Sequence, residues 1–504
     1  MKRILYIIFL FVYSLGMTSC NDLLNPEPEN SVTFYNFFEN EEDVVSAMNG
    51  LHSLFRGNFA NMLYIEGAGE FADEIKSTMD LMRGLVNLDG SLITDSEHLV
   101  TSWSGYYSVI SLALVILENL DRANLPEERY NYYRGQALFF KAYMYFRVIQ
   151  LWGDCPYVDV SYELDARGRM DWKVVLDTVI RDAEEARDLL KPWSELKDNK
   201  GASVTTKQIP GKEAANALLA HMYAWKGSLL NDNEALQKGI DAATTVIKAD
   251  GVSLASDPEE VCTGVMMGGH SESLFEVELV WTEIYMQGYF NMESLYQGFP
   301  IVPYTAPADI ISKYLHVKAE SVLEMYKGGD LRKDAYFFKT DSMATVEEAE
   351  GWAFMQKRRE IVQDTESNPD NPSTWYRNLD GNVILFRLAD IILLRAEMYA
   401  KKGDRDLALI DLQTIRDRAQ APAYTEAEGD LYYVIFKERE KELIAERHRR
   451  FDIVRTGFYG EMSEAWGRLT AEDVAEGAVY LPVYSKAFND NSLMRQNRWW
   501  AKQW

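Results

Sequence analysis

The side chains best suited to chemistry are arranged without a catalytic pattern. His52, His98, His221, His270, His316 and His448 never recur at a spacing that would place two metal ligands on one helix face, so no metal centre is expected. Gly269-His270-Ser271-Glu272-Ser273 approaches a nucleophile elbow, but Ser273 stands where the tight strand-to-helix turn needs glycine. It also leads into the β-like stretch Leu274–Trp281 rather than into a helix. No Walker lysine loop or dinucleotide glycine fingerprint occurs, and no cofactor is expected. Carboxylates are everywhere, and a glycosidase needs only two of them roughly 5 to 9.5 Å apart in space. Their spacing in sequence therefore carries no information. The alternating charges from Lys437 to Arg455 predict a salt-bridged helix in place of a catalytic or nucleic-acid surface.

One chemistry does fit the composition. Pyranose rings present flat C–H faces edged by hydroxyls, so their readers combine exposed aromatic rings with polar side chains. Trp281, Tyr285, Tyr289, Tyr296, Trp352 and Trp375 lie in a glycine-interrupted stretch and are candidate sugar platforms, with core packing the competing role for each. A second polar region runs from Asp73 and Glu74 to Arg83, after the glycine-rich Gly67–Glu70. Trp103 opens a core-type helix and is assigned to packing.

These residues need a scaffold, and the chain is long enough to build one: 504 residues, 47% hydrophobic and 12% aromatic. Lys2 and Arg3 precede the apolar run Ile4–Phe11, which is a secretory signal too short to span a bilayer. Thr18 and Ser19 then lead to Cys20, the order of a lipoprotein cleavage site. Residues 1–19 are thus expected to be removed and Cys20 to be lipidated. Without Lys2 and Arg3, 50 basic side chains face 78 acidic ones and the net charge moves from −26 to −28. Nucleic acid is an unlikely partner for such a chain, whereas neutral glycans are not repelled. Residues 20–40 read as a polar tether and 41–504 as a single domain. With only Cys155 and Cys262 beyond the anchor, no disulfide framework is expected, and whether the two pair is open.

Helical periodicity marks Glu41–Phe55, Trp103–Leu120, Tyr130–Leu151 and Asp171–Leu190. Leu218-x-Ala220-x-Met222-Tyr223-Ala224-x-Lys226-Gly227 recurs as Leu394-x-Ala396-x-Met398-Tyr399-Ala400-x-Lys402-Gly403, with a fainter copy at Ala142–Tyr145. Small residues at a crossing, an aromatic and a glycine-ended turn predict tetratricopeptide-like hairpins, which must stack to bury their faces. Between about 250 and 380 this period weakens, predicting an irregular lobe inserted into the helical scaffold.

Blocks spread along the whole chain resemble the SusD/RagB family. They are Cys20-Asn21-Asp22-Leu23-Leu24, Arg134–Pro156, Arg387–Glu397, Glu438–Gly457, Leu481-Pro482, and Asn489–Asn491 with Gln496-Asn497. The resemblance implies a mainly α fold of about four helical hairpins carrying a loop-rich lobe. It also implies a non-enzymatic lipoprotein on the outer face of the outer membrane, which captures oligosaccharides for a TonB-dependent, SusC-like transporter. In the family the region of Asp73 and Arg83 often contacts ligand. A peptide or other nutrient as ligand is the first alternative, and a secreted glycosidase a distant one. Arg447 and Arg450 depart from the family pattern and are expected to alter a surface, and Leu114 departs within the helix that begins at Trp103.

Overall fold

The computed structural model describes residues 37–67, 80–93, 102–162, 165–278, 317–347, 351–359, 361–363, 376–379, 381–489 and 491–503. Helices α1 (Glu41–Gly67), α2 (Asp80–Asn87) and α3 (Ser104–Asn119) lead to α4 (Glu127–Trp152), α5 (Trp172–Leu189), α6 (Lys212–Leu230) and α7 (Asn233–Ile247). From Tyr133 on, α4 is buried almost all round, so it forms the centre of the molecule. By contrast α5 buries a single stripe, Val175, Leu176, Val179, Ile180, Ala183 and Ala186, at the three- and four-residue steps read in the sequence. Asp171 caps it by accepting a hydrogen bond from the Lys173 amide.

The two copies of the repeat motif form the first helices of two hairpins, α6–α7 and α12 (Leu388–Lys402) with α13 (Arg405–Ala419). Helices α4 to α7 pack in sequence order, and α7 then meets α12. The expected glycine-ended turn occurs in only one copy. Gly403 ends α12 in the left-handed region with φ 90°, whereas Gly227 lies inside α6, which continues to Leu230 and is closed by Asn231 at φ 52°. Gly227 serves the crossing: a Cβ there would lie 2.6 Å from the Leu236 side chain.

Between these hairpins the chain is irregular. Helix α8 (Pro258–Thr263) and strand β1 (Ser273–Val277) come first. Strand β2 (Val317–Lys318), α9 (Ala319–Met325), α10 (Arg332–Tyr336), α11 (Thr340–Met343) and β3 (Trp352–Ala353) follow, and then β4 (Ile361–Gln363), β5 (Tyr376–Leu379) and β6 (Val383–Arg387). The strands pair antiparallel as β1–β6, β2–β3 and β4–β5. Phe275 pairs with Phe386 across β1–β6 and packs edge-on against Phe139 of α4 at 4.8 Å, which plugs the ladder into the helical core.

The charged run Lys437–Arg455 is not one helix. It forms α14 (Leu431–Leu443) and α15 (Arg449–Thr456), separated by Ala445 and Arg447 at φ 64° and 66°. Its charges have the structural role expected of them, but most of their partners are distant in sequence and buried. Arg447 and Arg450 are also buried, so they alter the interior and not a surface. The Arg450 guanidinium lies over Trp466 at 5.1 Å and donates to the Val479 carbonyl. Cys155 and Cys262 are both free and buried. Trp103 is half-buried against Trp152 at 5.8 Å, in the packing role expected of it.

Candidate functional site

The β2–β3 ladder sets Lys318 directly opposite Trp352, and the Ala319 amide donates to the Gly351 carbonyl at 2.8 Å. Gly351 has φ 79°, a conformation that suits glycine at this turn. Helix α9 follows β2 without a break. Its buried face, Ala319, Val322 and the following Tyr326, seats it on the scaffold, where the Tyr326 hydroxyl donates to the Lys441 carbonyl at 2.8 Å. Its other face carries Glu320, Leu323 and Glu324 at i, i+3 and i+4. These three, with Lys318, Ala344, Gly351 and the half-buried Trp352, line an open groove of about 560 Å³. An indole flanked by two carboxylates and an ammonium has the elements that sugar recognition needs: an apolar face and polar groups at its edge.

A buried ionic clamp fixes the chain on both sides of this groove. On one side, Arg332 of α10 donates to Asp330 at 2.7 Å and to Glu438 of α14 at 2.5 Å. On the other, the Lys357 ammonium donates to the carbonyls of Glu442 and Ile444 at 2.9 and 3.0 Å and pairs with the Glu446 carboxylate. Arg387, at the end of β6, joins Glu272, Glu442 and Glu446 at 2.7 to 2.8 Å. Burial would raise the Glu442 carboxyl, but Arg418, Arg387 and Arg332 hold it far below the usual glutamate range. Burial pulls Lys357 below the ordinary lysine value. A second buried cluster joins α6, α12, α14 and α15: Asp390 accepts from His221 at 2.7 Å and from Arg439 at 2.8 Å. Burial there lowers His448 to about 4. Among the described residues no group of three or more His, Cys, Asp or Glu is placed to hold a metal ion.

The remaining chemical candidates are structural. Ser273 is fully buried and donates to Glu276 at 2.8 Å, Ser271 bonds Ser253 at 2.9 Å, and Glu272 is held by Arg387. A second hollow of about 310 Å³ lies beside Tyr132 at the start of α4. The donors of Arg129 there are already committed to Glu41, the Lys197 carbonyl and Tyr133.

Of the ligand residues expected from the sequence, the structure describes two. Trp352 lies in the groove. Arg83 is exposed on α2, whose Leu85 and Val86 carbonyls accept hydrogen bonds from Trp466 and Ser463. Cys20, Asp73, Trp281, Tyr285, Tyr289, Tyr296 and Trp375 lie outside the described residues. Sequence reasoning missed Lys318, Glu320 and Glu324, because a seven-residue helix is too short to give a periodic signal.

Two family models match the chain: "Starch-binding associating with outer membrane" over residues 66–224 and "SusD family" over residues 314–500. The chain belongs to the SusD/RagB family. The first model spans α2 to α6, and the second spans the Trp352 groove and most of the ionic clamp. SusD-like proteins P38 and P2 of Formosa agariphila are 25% and 24% identical to it. P38 aligns over 97% of this chain and 98% of its own length, and P2 over 89% and 90%. Among solved structures, a SusD homolog from Bacteroides thetaiotaomicron superposes with a TM-score of 0.75 at 22% identity, covering 92% of this chain and 99% of that one. A laminarin-binding SusD-like protein superposes at 0.69 with 21% identity, over 91% and 99%. The SusD fold, mainly helical with tetratricopeptide-like hairpins, is thus shared along nearly the whole chain.

Proposed function

We propose that this SusD/RagB protein is a non-enzymatic glycan-binding lipoprotein of the outer cell surface. Anchored through Cys20, it captures oligosaccharides and delivers them to a TonB-dependent, SusC-like transporter. The observation that carries the reading is the Trp352 groove, a half-exposed indole edged by Lys318, Glu320 and Glu324 on a rigidly clamped base. The laminarin-binding relative and the starch-binding family description support a glycan as ligand. Among the described residues no helix is long and apolar enough to cross a membrane, and a lipid on Cys20 is the attachment this reading assigns. Further ligand contacts are expected at the polar Asp73 and Arg83 and at the aromatic rings of Trp281, Tyr285, Tyr289, Tyr296 and Trp375.

Calorimetric titration of the purified protein against laminarin and starch oligosaccharides and against a peptide mixture tests the reading. Saturable glycan binding, weakened by Trp352→Ala and accompanied by no release of reducing ends, is the expected outcome. Binding of peptides alone, or hydrolysis of the glycan, would overturn it.

A further inference from the structure

Most basic side chains around the Trp352 groove are committed. Lys327 pairs with Glu324, Lys333 with Asp341, Arg332 with Asp330 and Glu438, and Lys357 with Glu446. Lys318 is the exception on the rim. It is exposed, as is Glu320, and neither makes a hydrogen bond or an ion pair among the described residues. Lys318 is paired in register with Trp352, and side chains directly opposite in an antiparallel ladder share one face. A free ammonium and a free carboxylate thus stand at the edge of the indole.

Glu320 and Glu324 lie four residues apart on the outer face of α9, a spacing at which like charges weaken a helix. With seven residues α9 has little helical stability of its own, and its seat on the scaffold comes from Ala319, Val322 and the following Tyr326. Lys327 offsets Glu324 only weakly, because both side chains are mostly exposed. Folding therefore supplies no reason for two carboxylates at this rim, and a ligand does.

Chemistry selects the ligand. A carboxylate only accepts hydrogen bonds, so Glu320 and Glu324 can each take sugar hydroxyls, while the Lys318 ammonium only donates and can serve a hydroxyl or ring oxygen. The indole and the half-buried Leu323 are left for the C–H face of the ring. A sugar bearing carboxylate or sulfate would set acceptor against acceptor and bring like charges together. One ammonium against two carboxylates leaves the rim at −1, and the net charge of −26 on the whole chain adds to the repulsion. We propose that the Trp352 groove selects uncharged sugar rings, and that Glu320 and Glu324 exclude glycans carrying carboxylate or sulfate groups. The inference rests on the glycan capture proposed above, and adds the chemical class of the ligand and the residues that set it.

Calorimetric titration of the purified protein with neutral laminarin and starch oligosaccharides, and with acidic oligogalacturonates and a sulfated galactan, tests the selection. Wild type should bind a neutral glycan about ten-fold tighter than any acidic one at low salt, and the gap should narrow as salt screens the rim. A unit charge roughly 6 Å away through water changes affinity about three-fold. Glu320→Lys with Glu324→Lys reverses two such charges and should raise the ratio of acidic to neutral affinity roughly ten-fold or more. Glu234→Lys with Glu426→Lys changes the net charge equally at exposed positions outside the groove, and should leave that ratio as it is. Three results would overturn the selection while leaving glycan capture intact: an acidic glycan bound by wild type as tightly as the neutral ones, a ratio that the α9 variant does not move, or one that the distant variant moves as far. If wild type binds no glycan of either class, glycan capture fails and the selection falls with it.

Discussion

Glu446→Gln should destabilise the protein by about 3 kcal/mol at neutral pH, and the loss should fade in acid. The carboxylate accepts from Arg387 Nε and Nη2, both at 2.7 Å, and pairs with the Lys357 ammonium in a fully enclosed site. Burial by itself would raise this carboxyl, but the two cations bring it from 4.5 down to about 2. At about 1.4 kcal/mol for each tenfold change in acidity, the drop from 4.5 to about 2 corresponds to about 3.5 kcal/mol, the upper end of the expected loss. Because the value in the folded state is the depressed one, the contribution is complete above the unfolded value and is lost as pH falls through 2. Glutamine keeps the shape and removes the charge, which leaves Arg387 and Lys357 undercompensated. Urea unfolding of wild type and variant at pH 7, 5 and 3 measures this, as a lower midpoint with an unchanged slope. The difference should be nearly full at pH 7 and 5 and clearly smaller at pH 3. Arg468→Ala, which breaks a pair with Glu464 in which both side chains are mostly exposed, should cost less than about 1 kcal/mol. A Glu446→Gln loss below about 1 kcal/mol at pH 7, or one that does not change with pH, would refute the reasoning.

Trp352→Ala should cost roughly 1 to 3 kcal/mol of glycan affinity, by analogy with aromatic stacking on bases, while the melting temperature barely moves; titration and melting on the same sample check both. Cys20→Ala should shift the protein from the membrane fraction to the soluble one in cells lacking the transporter, as fractionation would reveal. Gly227→Ala should lower stability by about 1 to 3 kcal/mol, since its new methyl would meet Leu236 at 2.6 Å, whereas Gly201→Ala, with nothing within 4 Å, should show only the smaller strain of its φ of 80°. Denaturant unfolding of the two variants separates overpacking from backbone strain.

How much of this was legible beforehand depends on how far each feature reaches along the chain. Helices α3, α4 and α5 were readable to within a few residues because amphipathic spacing is local, and α1 was found but runs on from Phe55 to Gly67. The ionic clamp was not readable. Glu446 meets Arg387 59 residues away and Glu272 meets Arg418 146 residues away, so only a run of alternating charge was visible at Lys437–Arg455. In the candidate site, composition pointed to Trp352, but the rim residues Lys318, Glu320 and Glu324 become neighbours of the indole only through the β2–β3 pairing.

The repeat motif shows why identical local signals can still diverge. After Lys402-Gly403 the chain meets Asp404 at once, and the glycine takes the left-handed conformation that ends α12. After Lys226-Gly227 come Ser228, Leu229 and Leu230, which can continue a helix, and the left-handed position passes to Asn231 with Asp232 capping the next helix. Gly227 is therefore released from the turn and used where α6 and α7 approach most closely, at Leu236. The extra length also carries Leu230 to the edge where Val174, Leu407 and Ile410 are exposed. A shift of the helix end by a few residues thus changes both the internal crossing and the exposed surface beside it, although the ten-residue motif that precedes it agrees at seven positions.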